Sequence, residues 1–237
     1  MLAVEHLHYA PVTASTQADV KQLLDAGEPL PVVVADEQTA GRGRLDRSWT
    51  APPFSSVLMS MGLPLPREHS AFTLHLGVVV VEALAGCGVN AQLKWPNDVV
   101  VQLDGRWRKL GGVLTELHHH HAVMGIGLNV DIADAELPTP EAISCRQLGW
   151  LPRREELIVN IVRGLRDMPS PLTLTRYREL CVTIGAKVLV ARLVGEPLRA
   201  RAVAVHDDGA LVVVDDAGVE HRITVGDVEM LRPEAGV

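Results

Sequence analysis

The strongest constraint on the fold is a hairpin signal near the middle of the chain. Two segments, at residues 99–103 and 106–110, flank an Asp-Gly pair at 104–105. An Asp-Gly pair favours the two-residue turn whose twist matches that of paired strands. The two segments are therefore predicted to be antiparallel neighbours in a β-sheet. Short apolar runs at residues 32–35 and 56–61 predict two further strands.

Helical patterns accompany the predicted strands. Thr16 and Asp19 have the spacing of a capping box. Ser15 and Thr16 are therefore predicted to cap a helix, which Gly27 ends. Residues 71–85 are largely apolar and too few to cross a bilayer, so they are predicted to form a buried helix. Two more helices are predicted at residues 155–166 and 172–180. An edge strand is predicted at residues 2–9. This mixture of elements indicates an α+β protein.

The composition of the chain changes near residue 186. Short valine-rich runs follow, with turn signals at residues 207–209 and 216–218. The runs lie at residues 187–192, 198–206, 211–215 and 221–225. Short alternating strands separated by such turns are typical of a small β-barrel. We therefore predict a first domain at residues 1–183 and a second domain, packed against it, at residues 184–237.

Bulk properties limit the classes of function. The 237 residues are 47% apolar and carry a net charge of −7, which argues against general binding to nucleic acid. The three cysteines are an odd number without metal-ligand spacing, which fits a reducing compartment better than a disulfide framework. No basic segment leads into an apolar stretch at the N-terminus, so no signal peptide is predicted. We expect a cytoplasmic protein with no membrane partner.

A segment rich in glycine and arginine follows the first apolar run. Gly41 and Gly43 have no Cβ, so the backbone there can approach a ligand closely. Arg42 and Arg44 provide planar groups of donors that suit phosphate or carboxylate. Trp49 offers a flat face that can stack on a nucleobase. Taken alone, this pattern fits either a ligand-binding loop or a solvated surface loop.

Four motifs, in one order along the chain, resemble those of the biotin protein ligases. They are Gly-Arg-Gly-Arg at 41–44 with Trp49, Lys-Trp-Pro-Asn-Asp at 94–98, Lys-Leu-Gly-Gly at 109–112 and Gly-Ile-Gly-Leu-Asn at 125–129. The resemblance covers nearly the whole chain. It implies a mixed sheet with helices packed on it, as in class II aminoacyl-tRNA synthetases, and a C-terminal SH3-like β-barrel. The hairpin before Lys109 is longer than the family pattern.

The resemblance implies an ATP-dependent reaction in two steps. The carboxylate of biotin attacks the α-phosphate of ATP, which gives biotinyl-5′-AMP and pyrophosphate. A lysine of a biotin carboxyl carrier domain, from acetyl-CoA carboxylase or another carboxylase, then attacks the activated carbonyl. Mg²⁺ is expected to screen the phosphates.

Some members of the family carry an N-terminal winged helix and act as repressors. The twelve residues before Thr13 are too few for that domain, so the resemblance implies the monofunctional form, and we expect no DNA partner. An edge strand would permit a homodimer.

The same resemblance implies roles for individual residues. Lys109 would contact the biotin carboxylate and the α-phosphate. Trp49 would pack on adenine, and Asp98 would orient or deprotonate the acceptor amine. Catalytic roles are implied for Lys109, Arg42, Arg44, Asp98 and Lys94. Binding roles are implied for Ser15, Thr16, Gln38, Gly41, Arg42, Gly43, Arg44, Trp49, Asn97, Lys109, Gly112 and Asn129.

Two other functions stay open at this point. A ligase that attaches lipoate or octanoate has a related fold, although the Gly-Arg-Gly-Arg segment favours biotin. A biotin-binding regulator without catalysis would not need Lys109, Arg42 and Arg44. A P-loop NTPase is disfavoured, because no glycine is followed by Lys and Ser or Thr at the required spacing.

Four consecutive histidines lie at a predicted hairpin tip: His118, His119, His120 and His121. Histidine-rich tracts of this kind can bind metal. These four lack a cysteine or carboxylate partner at a recognised spacing, so an incidental role is favoured over a metal site. The sequence assigns no metal ligand.

Overall fold

A seven-stranded mixed sheet forms the centre of the larger part of the protein. The computed structural model describes residues 6–45, 47–65, 71–167, 174–191 and 196–231. The strands of this sheet are β1 (Leu7–Thr13), β2 (Val32–Gln38), β3 (Ser56–Pro64), β4 (Gln92–Lys94), β5 (Asp98–Leu103), β6 (Arg106–His118) and β7 (His121–Asn129). Their order across the sheet is β1-β2-β3-β7-β6-β5-β4. β1 pairs with β2 in parallel, and the other neighbours are antiparallel.

Helices cover both faces of this sheet. They are α1 (Thr16–Asp25), α2 (Phe72–Gly86), α3 (Arg154–Arg166) and α4 (Thr175–Leu180). On the face that α1 covers, Val33 and Val123 pack with Val20. On the opposite face, Val32 and Val34 belong to the main core with residues of α2 and α3. Successive side chains of β2 thus enter two different cores, as strand geometry requires. Within the described residues, no helix has the length and apolar character needed to cross a membrane.

The predicted hairpin is confirmed. Asp104 and Gly105 have φ angles of 49° and 71°, as this two-residue turn requires. The pairing of β5 with β6 shifts between Val99 and Val100, which leaves Leu110 as an extra residue on β6. β6 does not end there but continues, for 13 residues in all, to the histidine tract. One long strand therefore connects the hairpin with the histidines.

The start of the chain corrects two predictions. The edge strand is β1 rather than residues 2–9, of which residues 2–5 lie outside the described part. Ser15 is at the N-cap position of α1, but within the described part its side chain makes no capping hydrogen bond. Asp19 accepts a hydrogen bond from the Thr13 hydroxyl at 2.7 Å. The predicted capping box is therefore wrong, because Asp19 ties the helix to the preceding strand instead.

A second, five-stranded antiparallel sheet forms the C-terminal part, as the SH3-like prediction requires. Its strands are β8 (Lys187–Val190), β9 (Leu198–Val205), β10 (Leu211–Asp215), β11 (Glu220–Ile223) and β12 (Val228–Met230), in the order β11-β10-β9-β8-β12. Gly209 and Gly218 occupy the two predicted turns with φ angles of 88° and 80°. Arg192, at the end of the first predicted run, lies outside the described residues, as do residues 172 and 173 of the predicted helix at 172–180.

The two sheets share one hydrophobic core. Trp95, which is 2% exposed, joins them. Its backbone N–H donates to the Thr183 hydroxyl at 2.9 Å, and its indole N–H donates to the Gly209 carbonyl at 2.9 Å. The predicted packing of the small sheet against the larger part is confirmed.

Candidate active site

A cavity of about 420 Å³ lies where α1, β6 and β7 meet the small sheet. The segment at residues 41–49, here called the Gly-Arg loop, covers it; Asp46 lies outside the described residues. Twelve predicted site residues line this cavity: Ser15, Thr16, Gln38, Arg42, Gly43, Arg44, Trp49, Lys94, Asn97, Asp98, Lys109 and Gly112. The fold thus brings together residues that are far apart in the sequence.

Two glycines of β7 form the floor of the cavity. Gly125 and Gly127 are two positions apart, so they face the same side of the sheet. A Cβ at Gly125 would collide with Gln17, and a Cβ at Gly127 would collide with the Trp49 ring. These glycines therefore make room for both side chains, and Trp49 packs directly on the backbone of β7.

One end of the cavity is a cluster of uncharged polar side chains. Gln38 Oε1 accepts hydrogen bonds from the backbone N–H and the hydroxyl of Thr16, at 2.9 and 3.1 Å. The Thr16 hydroxyl is also 2.7 Å from the Ser60 hydroxyl. Gln17 Nε2 donates to backbone carbonyls of β6 and β7. Thr16 therefore faces the cavity and does not cap α1, contrary to the sequence prediction.

The other end carries cations around one carboxylate. Lys109 Nζ is 2.6 Å from Asp98 Oδ1, and Lys94 Nζ is 3.6 Å from Asp98 Oδ2. Arg44 Nη1 donates to Asn97 Oδ1 at 3.4 Å. Asn97 in turn donates to a β6 carbonyl, which fixes its amide. Three cations surround a single acid here, so this end of the cavity favours an anionic ligand.

Lys109 is held from both sides. Its backbone N–H donates to the Glu141 carbonyl at 2.8 Å, and its carbonyl accepts from the Ile143 N–H at 2.9 Å. Its ammonium lies 5.8 Å from the centroid of the Trp49 ring, within the range of a cation–π interaction. The Lys109 ammonium is therefore fixed between the Trp49 ring and the Asp98 carboxylate.

The Gly-Arg loop is a short hairpin that reaches the small sheet. The Gly43 N–H donates to the Arg47 carbonyl at 2.7 Å, and the Trp49 N–H donates to the Gly41 carbonyl at 2.8 Å. The Arg47 guanidinium forms an ion pair with Asp227, just before β12. This hairpin thus connects the two parts of the protein over the cavity.

The arginines of the loop have different surroundings. Arg42 is exposed, and its Nη1 is 3.6 Å from Glu116 Oε1. Arg44 lies deeper, and its Nη2 donates to the Gly226 carbonyl at 3.5 Å. Burial lowers the pKa of Arg44; the charge of Asp98 opposes this effect, and a neighbouring arginine adds to it. An anion beside Arg44 would offset both the burial and the like charge.

A larger cavity of about 710 Å³ lies next to the first. Seven residues line both cavities: Arg47, Ser48, Trp49, Lys94, Asp98, Lys109 and Glu229. Asn129 lines the larger cavity, and its Nδ2 donates to the Ile143 carbonyl at 3.0 Å. Within the described part of the chain, Asn129 Oδ1 and Trp49 Nε1 have no hydrogen-bond partner. The two cavities are therefore adjacent, with Lys109 at their boundary.

Sequence reasoning missed several residues of this region. Gln17 and Ser60 are buried polar residues on α1 and β3. Ser60 is a polar residue within the apolar run at residues 56–61, which is a signal that could have revealed it, whereas no local pattern indicates Gln17. Asp227 comes from the small sheet, and no sequence pattern indicates that contact. Gly41 lines neither cavity; a Cβ there would collide with Gln38 and with the backbone of the loop itself.

The sequence matches known protein families in both parts. Residues 9–129 match the biotin/lipoate A/B protein ligase family, and residues 183–231 match the biotin protein ligase C-terminal domain. The biotin–[acetyl-CoA-carboxylase] ligase of Mycobacterium tuberculosis is 31% identical, in an alignment covering 93% of this chain and 87% of that protein. The bifunctional ligase/repressor BirA of Bacillus subtilis is 29% identical, over 95% of this chain and 74% of that protein.

Solved structures share the fold. The biotin protein ligase of Aquifex aeolicus, in complex with biotin and ATP, has a TM-score of 0.79 at 24% identity, covering 97% of this chain and 100% of that chain. The Leishmania major ligase, in complex with biotinyl-5-AMP, has a TM-score of 0.67 at 26% identity, covering 92% and 98%. Because its sequence matches in both domains and its fold agrees over nearly its whole length, the chain belongs to the biotin protein ligase family.

Proposed function

We propose that this protein forms biotinyl-5′-AMP from biotin and ATP and then transfers biotin to a lysine of a biotin carboxyl carrier domain. The observation that carries this proposal is the position of Lys109. Its ammonium lies at the boundary of two adjacent cavities, 2.6 Å from the Asp98 carboxylate. A reaction between two bound molecules needs a fixed charge where they meet.

The smaller cavity suits biotin. Its volume of about 420 Å³ falls in the usual range for small-molecule sites. The bicyclic head of biotin is uncharged, so it fits the polar cluster of Ser15, Thr16 and Gln38 above the glycine floor. The carboxylate of biotin then lies toward the cationic end, beside Lys109 and Gly112.

The larger cavity suits ATP. Trp49 provides an aromatic face for adenine, and the nearby Asn129 Oδ1 is an acceptor that has no partner among the described residues. Arg42, Arg44 and Lys109 supply positive charge toward the phosphates. Attack of the biotin carboxylate on the α-phosphate brings two anions together, so fixed cations at this point lower the barrier. Gly41 and Gly43 let the loop backbone close over the adenylate.

Mg²⁺ would enter as part of the ATP substrate. The carboxylates of Glu141 and Glu229 line the larger cavity, and carboxylate oxygens are ligands that Mg²⁺ prefers. Magnesium supplies charge that screens the phosphates. The chain's own cations then need to stabilise only the charge that develops during the reaction.

Asp98 suits the second step. The acceptor lysine must lose a proton before its amine can attack the biotinyl carbonyl, and a carboxylate can orient the amine and accept that proton. Lys94 and Lys109 hold the Asp98 carboxylate from two sides, at 3.6 and 2.6 Å. Asn97 keeps Arg44 close to the phosphate that leaves as AMP.

Mass spectrometry of an acceptor tests this function. The protein is incubated with biotin, ATP-Mg²⁺ and a purified biotin carboxyl carrier domain. We expect one biotin per carrier domain, on one lysine, and none without ATP. Lipoate and octanoate in place of biotin are the controls. Modification by lipoate or octanoate but not by biotin would assign the protein to the alternative ligase, and biotin binding without any transfer would make it a non-catalytic regulator.

We also propose a cytoplasmic location, a boundary between the two domains after residue 183, and no binding to DNA. The hydrogen bond from the Val182 N–H to the Leu93 carbonyl ties the last part of the first domain to β4.

Three exposed apolar residues of β1, Leu7, Tyr9 and Val12, lie at a sheet edge that would permit a homodimer. Sedimentation velocity tests the dimer, and a gel shift tests DNA binding.

A further inference from the structure

Three side chains able to bind metal converge outside the two cavities. Asp25 is the last residue of α1, His118 is the last residue of β6, and His119 follows it at the hairpin tip. Asp25 Oδ1 is 2.7 Å from His118 Nε2 and 3.2 Å from His119 Nε2. The three potential ligand atoms all lie within 4.8 Å of one another. The missing carboxylate partner of the histidine tract therefore comes from α1.

The packing of α1 on the sheet explains this convergence. Lys21 and Asp25 are one helical turn apart, so they lie on the same side of α1. Glu116 and His118 are two positions apart on β6, so they face α1 together. Lys21 Nζ is 2.9 Å from Glu116 Oε2, next to the contact between Asp25 and His118. Two successive contacts thus hold the end of α1 in register with the end of β6.

The hairpin tip brings the two histidines to the same side. Adjacent residues of a strand normally point to opposite faces. His119 has a φ of 52°, in the left-handed region, which breaks this alternation. The imidazole centroids of His118 and His119 are consequently 4.4 Å apart. Both rings can therefore reach the Asp25 carboxylate.

The donor set matches the chemistry of zinc. Zn²⁺ binds histidine nitrogen and carboxylate oxygen at about 2.0–2.2 Å, so ligand atoms around a tetrahedral ion are about 3.3–3.6 Å apart. The separations of 2.7 and 3.2 Å need only small side-chain rotations to reach that range.

We propose that Asp25, His118 and His119 form a surface site for one Zn²⁺ ion, with the remaining coordination position open to water. The ion clamps the C-terminal end of α1 to the hairpin between β6 and β7. The opposite end of α1, at Thr16, lines the smaller cavity about 13.5 Å away along the helix. The site therefore lies outside the cavity that Thr16 lines.

Titration of the metal-free protein with ZnCl₂ tests this site. The full chain is prepared without a polyhistidine tag, and isothermal titration calorimetry measures affinity and stoichiometry. We expect one Zn²⁺ per chain and a rise in the thermal midpoint. Asp25→Asn and His118→Ala should weaken binding at least about tenfold, because even loss of a residue that only supports a ligand costs that much. His120→Ala is the matched control, since His120 belongs to the same tract but not to the cluster.

The outcomes separate a built site from a simple histidine tract. Binding that is unchanged in Asp25→Asn, or weakened as much by His120→Ala as by His118→Ala, overturns the proposal. No binding by the wild-type protein also overturns it. Circular dichroism of each variant shows whether it is folded. Biotin transfer by the two cluster variants should equal that of the wild type, because the site does not touch the cavities.

Discussion

Lys109 is a cation at a position where the sheet would otherwise present an apolar residue. Its neighbour Leu110 is completely buried, whereas the Lys109 side chain turns toward Asp98 and the Trp49 ring. The bulge on β6 makes this possible, because it places an extra residue between Lys109 and Gly111. The charge at the boundary of the cavities thus depends on a local irregularity of the strand.

Replacing Lys109 with alanine should nearly abolish adenylate formation while the protein stays folded. Loss of a charge partner for the transition state should cost roughly 3 kcal/mol, or about 10²-fold or more in rate. Pyrophosphate release with biotin and ATP-Mg²⁺ measures this. Lys187→Ala, an exposed lysine at the start of β8, is the control and should keep full activity. A Lys109→Ala protein that releases pyrophosphate at the wild-type rate would contradict the assigned role.

His75 should make stability depend on pH. It is buried in α2, its Nε2 has no hydrogen-bond partner in the described part of the chain, and burial lowers its pKa. The unfolded chain then binds more protons than the folded one below about pH 6.5, so the free energy of unfolding falls as the pH is lowered through that region.

A His75→Leu variant tests this pH dependence. The free energy of unfolding of this variant minus that of the wild type should be larger at pH 5.5 than at pH 8, because only the wild type loses stability by protonating His75, and urea denaturation with EDTA present measures this difference. His120→Gln, at the exposed hairpin tip, is the control. An equal difference between His75→Leu and the wild type at both pH values would show that His75 does not titrate on unfolding.

Individual residues of the site could be predicted from the sequence only where they belong to a motif that is associated with function. Lys109, Asp98 and the loop arginines belong to recognisable motifs, and the structure brings them to one cavity. The prediction that Thr16 caps α1 is wrong, because the Thr16 hydroxyl donates to Gln38, which is 22 residues away in the sequence. Hydrogen bonds between distant segments cannot be seen in local spacing. Gln17 was missed for the same reason.

At the scale of elements, the Gly-Arg loop contains glycines, which favour mobility, and yet it makes defined contacts. Its backbone closes a small hairpin, and Arg42 extends outward to Glu116. A loop of this kind can shield the adenylate, which is a reactive mixed anhydride, from water. Arg42 lines the smaller cavity, and we expect it to hold the closed loop over the phosphate.

Arg42→Gly should form adenylate but release it. Each charge-assisted hydrogen bond from arginine to the phosphate contributes about 1.5–3 kcal/mol, so its loss loosens the closed loop. The variant is incubated with biotin, ATP-Mg²⁺ and serum albumin, and the albumin is probed for biotin. Arg42→Lys keeps the charge and should label albumin less. Adenylate formation without labelling of albumin above the wild-type level would show that Arg42 does not retain the intermediate.

Most strands were predictable because apolar runs and turn residues agree. The hairpin at Asp104 and Gly105 and the glycine turns of the small sheet are determined by φ angles that few residues adopt easily. β1 was misplaced because it pairs in parallel with β2, and its exposed residues show no alternation. Its position depends on that partner strand rather than on its own pattern.

At the scale of the whole molecule, the small sheet contributes directly to the site. Asp227 pairs with Arg47 of the Gly-Arg loop, and Gly226 accepts from Arg44. The sequence predicted that the small domain packs on the large one, but it could not predict these contacts. They join residues that are about 180 positions apart, where no local pattern operates.

Asp227→Ala should raise the KM for ATP by about two- to fivefold and change kcat little. The Arg47 side chain is 66% exposed and that of Asp227 34%, and ion pairs in contact with solvent contribute about 0.2–1 kcal/mol. Steady-state kinetics of Arg47→Ala, Asp227→Ala and the double variant test the coupling. The double variant should be no worse than either single one. Effects that simply add would show that the two residues act independently.

Trp95 makes the C-terminal barrel part of the core of the protein. Its indole lies in the shared core and donates to a turn of the small sheet. Removal of that sheet would leave a buried donor without its acceptor and open part of the core to water. The barrel is therefore a part of the folding unit, not an appended module. A chimaera that exchanges the barrel between related ligases therefore has to keep the Gly209 turn together with the tryptophan that donates to it.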